Sequence, residues 1–521
     1  MLFVAPLRLV AQASEDVPLG DNAYVYIDAL INRGALQSLS ALERPYNVRE
    51  VVRALAREMP ANPSRAMRGY AAALRRSLVR YDVGQLLNPP TQRRDGLKYQ
   101  VGGEVYATGE TSSIRDLMRA NDKNAAYPGI GVQGAFVVGP LTAVFHPILD
   151  GRLNADPEYQ LAKPADAARV QEGYLDARWR FGELFIGREG RNWGPTPLDG
   201  LMLGNYAYTY DHVYFEVGIP AIHLQEVFTR LDNYTLGGDT IINRYFTIHR
   251  IASHVGHLEF AVQESMIYAG QGESYDPRYI NPLGIYTFSQ IDESENGNSQ
   301  NKALGAQAAW RSPVGTFSAE VYLDDIQIDK HCNPQVLCNK PSSGGWTLTA
   351  EGIPFVGDQR LFASYTLVSN LSYRTYEQPY TTYTYQDISL GRGYSDYDEW
   401  RLGVDLAVVP EIPLRVYGAY SRQGQGDYRL PFPQPDSFAV TPAFLSGVVS
   451  HVYRLGVQGA ATLPWLDVSG DVGVNHVTNW EHVTGSRHTE LAGRIKVALV
   501  WARIVGGTVK PPDASRPPDA P

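Results

Sequence analysis

The sequence predicts an all-β transmembrane barrel of about 18 antiparallel strands, preceded by a small N-terminal α-helical bundle. Three observations carry that prediction: a two-residue hydrophobic period over most of the chain, connections that alternate between short and long, and an N-terminal stretch with the period of a helix. Composition agrees. Of 521 residues, 44% are hydrophobic and 19% charged. No run of about 18 apolar residues occurs, which excludes ordinary membrane-spanning helices. A mean hydropathy of −0.25 fits strands that put one face to lipid and the other to a polar interior. The 33 tyrosines suit interfaces, where one end of the ring is apolar and the other wet. A formal charge of −9 without a basic block excludes a protein that wraps nucleic acid.

Residues 1–13 read as an export signal. An apolar stretch from Leu2 to Val10 ends in Ala11-Gln12-Ala13, a small-x-small cleavage pattern. Arg8 is its sole basic residue, so part of the signal is expected upstream. In an oxidising compartment the spacing of Cys332 and Cys338 permits a local disulfide. His331 beside them makes only a third donor, too few for a zinc site.

The helical domain is expected over 21–92. Tyr26, Ile27, Leu30 and Ile31 share one helix face. After Pro45, Asn47 followed by Glu50 three positions later has the form of a capping box, and Val52, Leu55 and Ala56 continue that helix. Ser64 is placed to cap a third helix carrying Met67, Tyr70, Leu74, Leu78 and Tyr81. So small a core is marginal alone and should lean on the barrel C-terminal to it, as a docking or plug domain.

The barrel is expected over 97–505. Trp400, Leu402, Val404, Leu406 and Val408 alternate with Glu399, Arg401, Gly403, Asp405 and Ala407. Near the end, Leu491, Ile495, Val497, Leu499 and Trp501 alternate with Glu490, Arg494 and Lys496. Tight links such as Gly139-Pro140, Gly218-Ile219-Pro220 and Leu463-Pro464 alternate with long polar segments, among them 107–129, 150–169, 189–205, 270–301, 375–396 and 424–447. Short turns on one rim and long loops on the other are the habit of bacterial outer-membrane barrels, and an even strand count puts both termini on the periplasmic rim. Asp176, Arg178, Arg180, Arg401, Asp405 and Arg454 are predicted to line the lumen. The tail, 510–521, holds five prolines and is expected to be disordered.

The densest motif runs from Gly187 to Pro195 and contains Arg188, Arg191, Asn192 and Trp193, with Tyr206 and Tyr208 beyond it. If it opens a long outer loop, its aromatic faces and donors suit hydroxyls and carboxylates of a polysaccharide. If the loop folds into the lumen, its arginines pair with wall carboxylates instead. No Gly-x-Ser-x-Gly elbow or zinc-protease helix pair occurs. The acidic run from Asp292 to Gly297 starts like a calcium loop, but its twelfth position is Ala303. No catalytic residue, metal or cofactor is expected.

The chain resembles the Wzi family of capsule-assembly outer-membrane proteins. The resemblance rests on the helical N-terminal region, Gly187-Arg188, Trp193-Gly194-Pro195, the 201–205 stretch, Tyr279-Ile280-Asn281-Pro282-Leu283 and the barrel pattern. It implies an eighteen-stranded barrel with a periplasmic-side helical bundle. It also implies a lectin-like, non-catalytic role in holding capsular polysaccharide at the cell surface, with outer-membrane lipid, surface polysaccharide and capsule-export machinery as partners. Arg188, Arg191, Asn192, Trp193, Tyr206 and Tyr208 are the candidate glycan contacts. Two alternatives stay open: a porin-like channel for small polar solutes, and a barrel-embedded enzyme acting on lipid or glycan.

Overall fold

The computed structural model describes residues 13–87, 97–159, 167–219, 221–286, 299–325, 342–375, 378–433, 442 and 444–506. The expected signal as far as residue 12, the acidic run from Asp292, the Cys332 and Cys338 pair and the proline-rich tail lie outside the described residues.

Eighteen strands form the wall. They are β1 (Lys98–Glu110), β2 (Ala125–Val138), β3 (Leu141–Asp150), β4 (Ala168–Trp179), β5 (Gly182–Glu189) and β6 (Tyr210–Ile219). There follow β7 (Ile222–Arg230), β8 (Thr240–Val255), β9 (Leu258–Gly270), β10 (Ser299–Ser312), β11 (Gly315–Asp325) and β12 (Ser343–Pro354). The last six are β13 (Arg360–Val368), β14 (Tyr397–Val409), β15 (Ile412–Gln423), β16 (Ser450–Thr462), β17 (Leu466–Thr478) and β18 (Arg487–Gly506). Each pairs antiparallel with its neighbours in sequence. The ring shuts where β1 pairs with β18, from Lys98 opposite Gly506 to Glu110 opposite Arg494. Closure leaves no unpaired edge, the condition for strands to cross lipid.

Side-chain alternation follows the expected pattern. Leu402 is 63% exposed and Leu499 52% exposed on the outer wall, while Arg401, Asp405 and Glu490 take the other face. Turns between strands at 139–140, 180–181, 256–257 and 410–411 are tight. At the opposite rim the connections are longer; their described parts include 111–124, 151–159, 190–209, 271–286, 378–396 and 444–449.

Among the described residues, three α-helices precede the wall: α1 (Ala23–Ile31), α2 (Val48–Arg57) and α3 (Arg65–Leu78). Ser64 caps α3 by accepting from the Met67 amide at 3.2 Å. Asn47 caps α2 through the Arg49 amide. No bond from the Asn47 amide to the Glu50 side chain, the reciprocal half of the expected capping box, is present among the described residues; the Asn47 side chain bonds Ser14 as well. Tyr26, Ile27, Leu30, Val51, Leu55, Tyr70 and Leu74 make the bundle's own core.

That core leans on the short-turn rim. Arg76 donates to the Thr462 carbonyl at 3.0 Å, Gln100 donates to the Arg80 carbonyl at 2.6 Å, and the Ala13 amide meets the Gly139 carbonyl at 3.1 Å. Gly69 explains how closely α3 approaches: a Cβ there would stand 1.8 Å from the Pro410 carbonyl oxygen. Asp21 receives hydrogen bonds from Tyr81 (2.6 Å), Ser77 (2.7 Å) and Arg80 (2.9 Å). Burial alone would raise its carboxyl, but Arg80 and the two hydroxyls hold it below the usual range.

Candidate functional site: the filled lumen and its long-loop mouth

Two long segments, 190–209 and 369–396, turn into the barrel rather than away from it. Trp193, Leu201, Met202 and Leu203 of the first and Tyr373, Tyr383, Ile388 and Leu390 of the second join wall residues such as Phe185, Tyr214, Phe246 and Tyr322 in one buried cluster. Trp193 is 0% exposed. Its amide donates to the Leu203 carbonyl at 2.8 Å, and Asn192-Trp193 pairs as a two-residue strand with Glu43-Arg44 of the helical domain. The interior is thus packed from both sides, by the bundle at the turn rim and by inward loops from the other.

This placement corrects the expectation of an outer Trp193 loop. Trp193 meets wall and plug, not solvent. Arg191 lies 2.9 Å from His212 Nε2, with Glu189 at 3.5 Å and its guanidinium 3.8 Å over the Tyr214 ring. Asn192 holds the next turn, accepting from the Gly200 amide at 2.7 Å and donating to the Leu198 carbonyl at 2.8 Å. Arg188 goes the other way, on the outward face with Leu184 and Ile186, paired to Asp211 at 2.6 Å. A Trp-Gly-Pro loop rich in aromatics and donors has the same composition whether it faces sugar or fills a charged barrel.

Five of the six predicted lumen charges do face inward. Arg178 pairs with Asp176 (2.7 Å), Asp16 (2.8 Å) and Glu183 (3.0 Å). Asp405 pairs with Arg415 at 2.6 Å, Arg454 with Asp471 at 2.7 Å, and Arg401 with Glu399 at 2.5 Å. Arg180 is the exception. It sits in the tight turn between β4 and β5, exposed, with its guanidinium 4.9 Å over the Phe181 ring. Between bundle and wall remains a cavity of about 200 Å³, bordered by Asn32, Tyr70, Glu351, Phe362, Arg401 and Arg415.

Tyr206 and Tyr208, by contrast, reach the mouth. Arg115 lies between them, its guanidinium 4.5 Å from the Tyr206 ring centre and 4.4 Å from that of Tyr208. Tyr206 donates to Glu158 at 2.8 Å and touches the Tyr394 hydroxyl at 2.9 Å, while Tyr208 donates to Asp156 at 2.5 Å. Burial pushes all three phenols upward, so they stay protonated donors. Arg119 stacks 3.7 Å over the Tyr394 ring and pairs with Asp116. Burial favours the neutral acid at Asp116, yet Arg119 and Arg401 hold its carboxyl below the ordinary range. Outside this layer lies an open pocket of about 350 Å³, lined by Ile114, Glu158, Gln386, Asp387, Tyr394 and Arg429. Arg429 donates to Glu158 at 3.2 Å across its edge. Sequence reading missed Arg115, Glu158, Tyr394 and Arg429, which come from four separate long loops; their common signal was only membership of polar segments on one rim.

A closed ring of strands with an apolar outer wall and a packed interior in which charged wall residues meet a buried aromatic cluster defines an outer-membrane β-barrel protein. No protein-family model and no curated protein matches the chain. Solved structures similar to it include Pseudomonas aeruginosa OccK11 (OpdR), with TM-score 0.40, 10% identity, and coverage of 78% of this chain and 96% of that one. Pseudomonas aeruginosa OprD gives TM-score 0.42 at 9% identity, covering 79% and 96%. Acinetobacter baumannii OccAB3 gives TM-score 0.42 at 11% identity, covering 78% and 99%.

Proposed function

We propose that this barrel does not conduct but holds capsular or other surface polysaccharide at its long-loop mouth, in the manner of the Wzi family it resembles. The observation that carries this reading is the pairing of a packed lumen with an open mouth pocket. Trp193, Tyr373 and Tyr383 occupy the space a solute would need, whereas Tyr394, Arg429 and Glu158 line the mouth pocket with an aromatic side chain, donors and acceptors for an extended ligand from outside. Arginine matches the planar carboxylates of acidic glycans, and the tyrosines match the apolar faces of sugar rings. On this reading the helical bundle and both termini are periplasmic.

Retention of cell-attached against released polysaccharide in a strain lacking the protein, complemented with wild type or Tyr394→Ala, tests the proposal. Unchanged attachment without the protein would overturn it. The channel reading has its own supporting observation, the mixed charge of the lumen around Arg401, Asp405 and Arg454. Steady ohmic current from purified wild type in a planar bilayer would establish that reading instead.

A further inference from the structure

One side chain from the first long loop meets two neighbours on the last strand at the long-loop rim. Asp122 belongs to the 111–124 loop, His488 and Glu490 to β18, and Asp122 and His488 are 366 positions apart. One ligand-type atom from each lies within 4.8 Å of the other two. His488 Nε2 stands 2.8 Å from Asp122 Oδ2 and 3.8 Å from Glu490 Oε2.

A hydrogen bond between Asp122 and His488 accounts for the first distance, but not for the presence of Glu490. That residue is 5% exposed. Its Oε1 accepts from Asn475 Nδ2 at 3.2 Å, while its Oε2 is buried, turned toward the imidazole, and accepts no hydrogen bond among the described residues. A buried carboxylate oxygen without a donor is costly unless a cation satisfies it.

We propose that Asp122, His488 and Glu490 form a binding site for a divalent transition-metal ion of the zinc class. Zinc bonds of about 2.0–2.1 Å at tetrahedral angles put ligand atoms roughly 3.4 Å apart, and the observed 2.8 and 3.8 Å bracket that spacing. The imidazole selects against calcium and magnesium, which take oxygen donors, and two carboxylates balance the charge of the ion. The surroundings hold the ligands in place, as metal sites require. Asn475, which fixes Glu490, is itself held by the Leu117 carbonyl (2.7 Å) and Arg454 (2.9 Å). The Trp480 ring packs 4.4 Å from the His488 ring. Three protein ligands leave one tetrahedral position for water or an anionic group. The Asp122 side chain, 53% exposed, opens that side to solvent.

The test uses the full chain, folded in detergent, stripped with a chelator and carrying no polyhistidine tag. Titration calorimetry with zinc chloride should show one saturable site, and cobalt(II) should give the visible absorption bands of a low-coordinate complex. His488→Ala and Glu490→Gln should each weaken zinc binding by at least about tenfold, while His254→Ala, at the opposite rim, should not. Asp122→Asn alters only an exposed loop side chain, so it decides the matter if the β18 variants lose the heat-modifiable gel mobility of a folded barrel. Absence of a saturable site in wild type, unchanged affinity in the folded variants, or equal affinity for calcium would each overturn the proposal.

Discussion

Replacing Trp193 separates a strut from a sugar contact. The indole is fully buried, its guanidinium neighbour Arg250 lying 5.2 Å from the ring. The backbone at Trp193 is held independently, by Leu203 and by Gln307, whose Nε2 donates to the Trp193 carbonyl at 2.8 Å. Trp193→Ala therefore keeps those bonds and removes only the ring. A buried tryptophan hides roughly 200 Å² of surface, which at about 25 cal/mol per Å² is worth about 5 kcal/mol; partial collapse of the space brings the expected loss to about 3–5 kcal/mol. Thermal unfolding in detergent should shift down by several degrees, and proteolysis within 190–209 should quicken. Trp193→Phe should stay close to wild type, since the indole N–H has no acceptor to lose among the described residues. Polysaccharide retention should fall in Trp193→Ala only as far as the folded fraction falls. Loss of retention with an unchanged melting curve and unchanged proteolysis would refute the strut and return Trp193 to the ligand.

Four further outcomes are expected. Gly69→Ala forces α3 from the Pro410 carbonyl and should cost about 1–3 kcal/mol, seen as faster proteolysis of the helical bundle with the barrel melting unchanged. Arg415→Met leaves Glu351 and Asp405 buried without the guanidinium that pairs both at 2.7 and 2.6 Å; a loss of about 3–5 kcal/mol should appear in thermal melts and be recovered in part by Glu351→Gln. Arg429→Ala should weaken glycan retention several-fold while leaving thermal stability near wild type, read by binding to purified surface polysaccharide; Tyr394→Ala should weaken retention too, but with a lower melting temperature because the ring packs under Arg119 and beside Tyr206, so its binding is read per folded protein. Burial pushes Glu15 up to about 8 from an ordinary 4.5, against the hydrogen bond from Gln133. The folded state then holds the extra proton between those values, so docking of the N-terminal segment is strongest below about 4.5 and weakens as pH rises through about 8. Hydrogen exchange over residues 13–20 should show this slope in wild type and its absence in Glu15→Gln.

The wall was legible because lipid imposes a rule on every strand: one face of β14 and β18 must be apolar, whatever the other face does. Strand number followed from turn placement for the same reason. The helices were legible from Asn47, Ser64 and the stripe through Tyr70 and Leu74. The direction taken by segment 190–209 was not, because whether a loop turns inward depends on partners supplied by Glu43, Gln307 and Tyr383, remote in sequence. Arg180 was misplaced by one step of the pleat, since β4 ends at Trp179 and the next side chain escapes the alternation. His488 and Glu490, two apart on one strand, are a pairing far too common to signal a site, and Asp122 carried no sequence link to them: ring closure through β1 and β18 is what brings the first long loop beside the last strand.

The same closure makes the whole cylinder depend on one seam. The seam from Lys98–Gly506 to Glu110–Arg494 joins the first strand of the wall to the last, so the cylinder is shut only where those two strands pair. Every segment that fills it, from residues 13–87 through 190–209 to 369–396, precedes β18. The Glu43–Trp193 pairing thus lies inside a wall that only the contact between its first and last strands completes, so weakening that one seam would expose the plug as well as the strand edges.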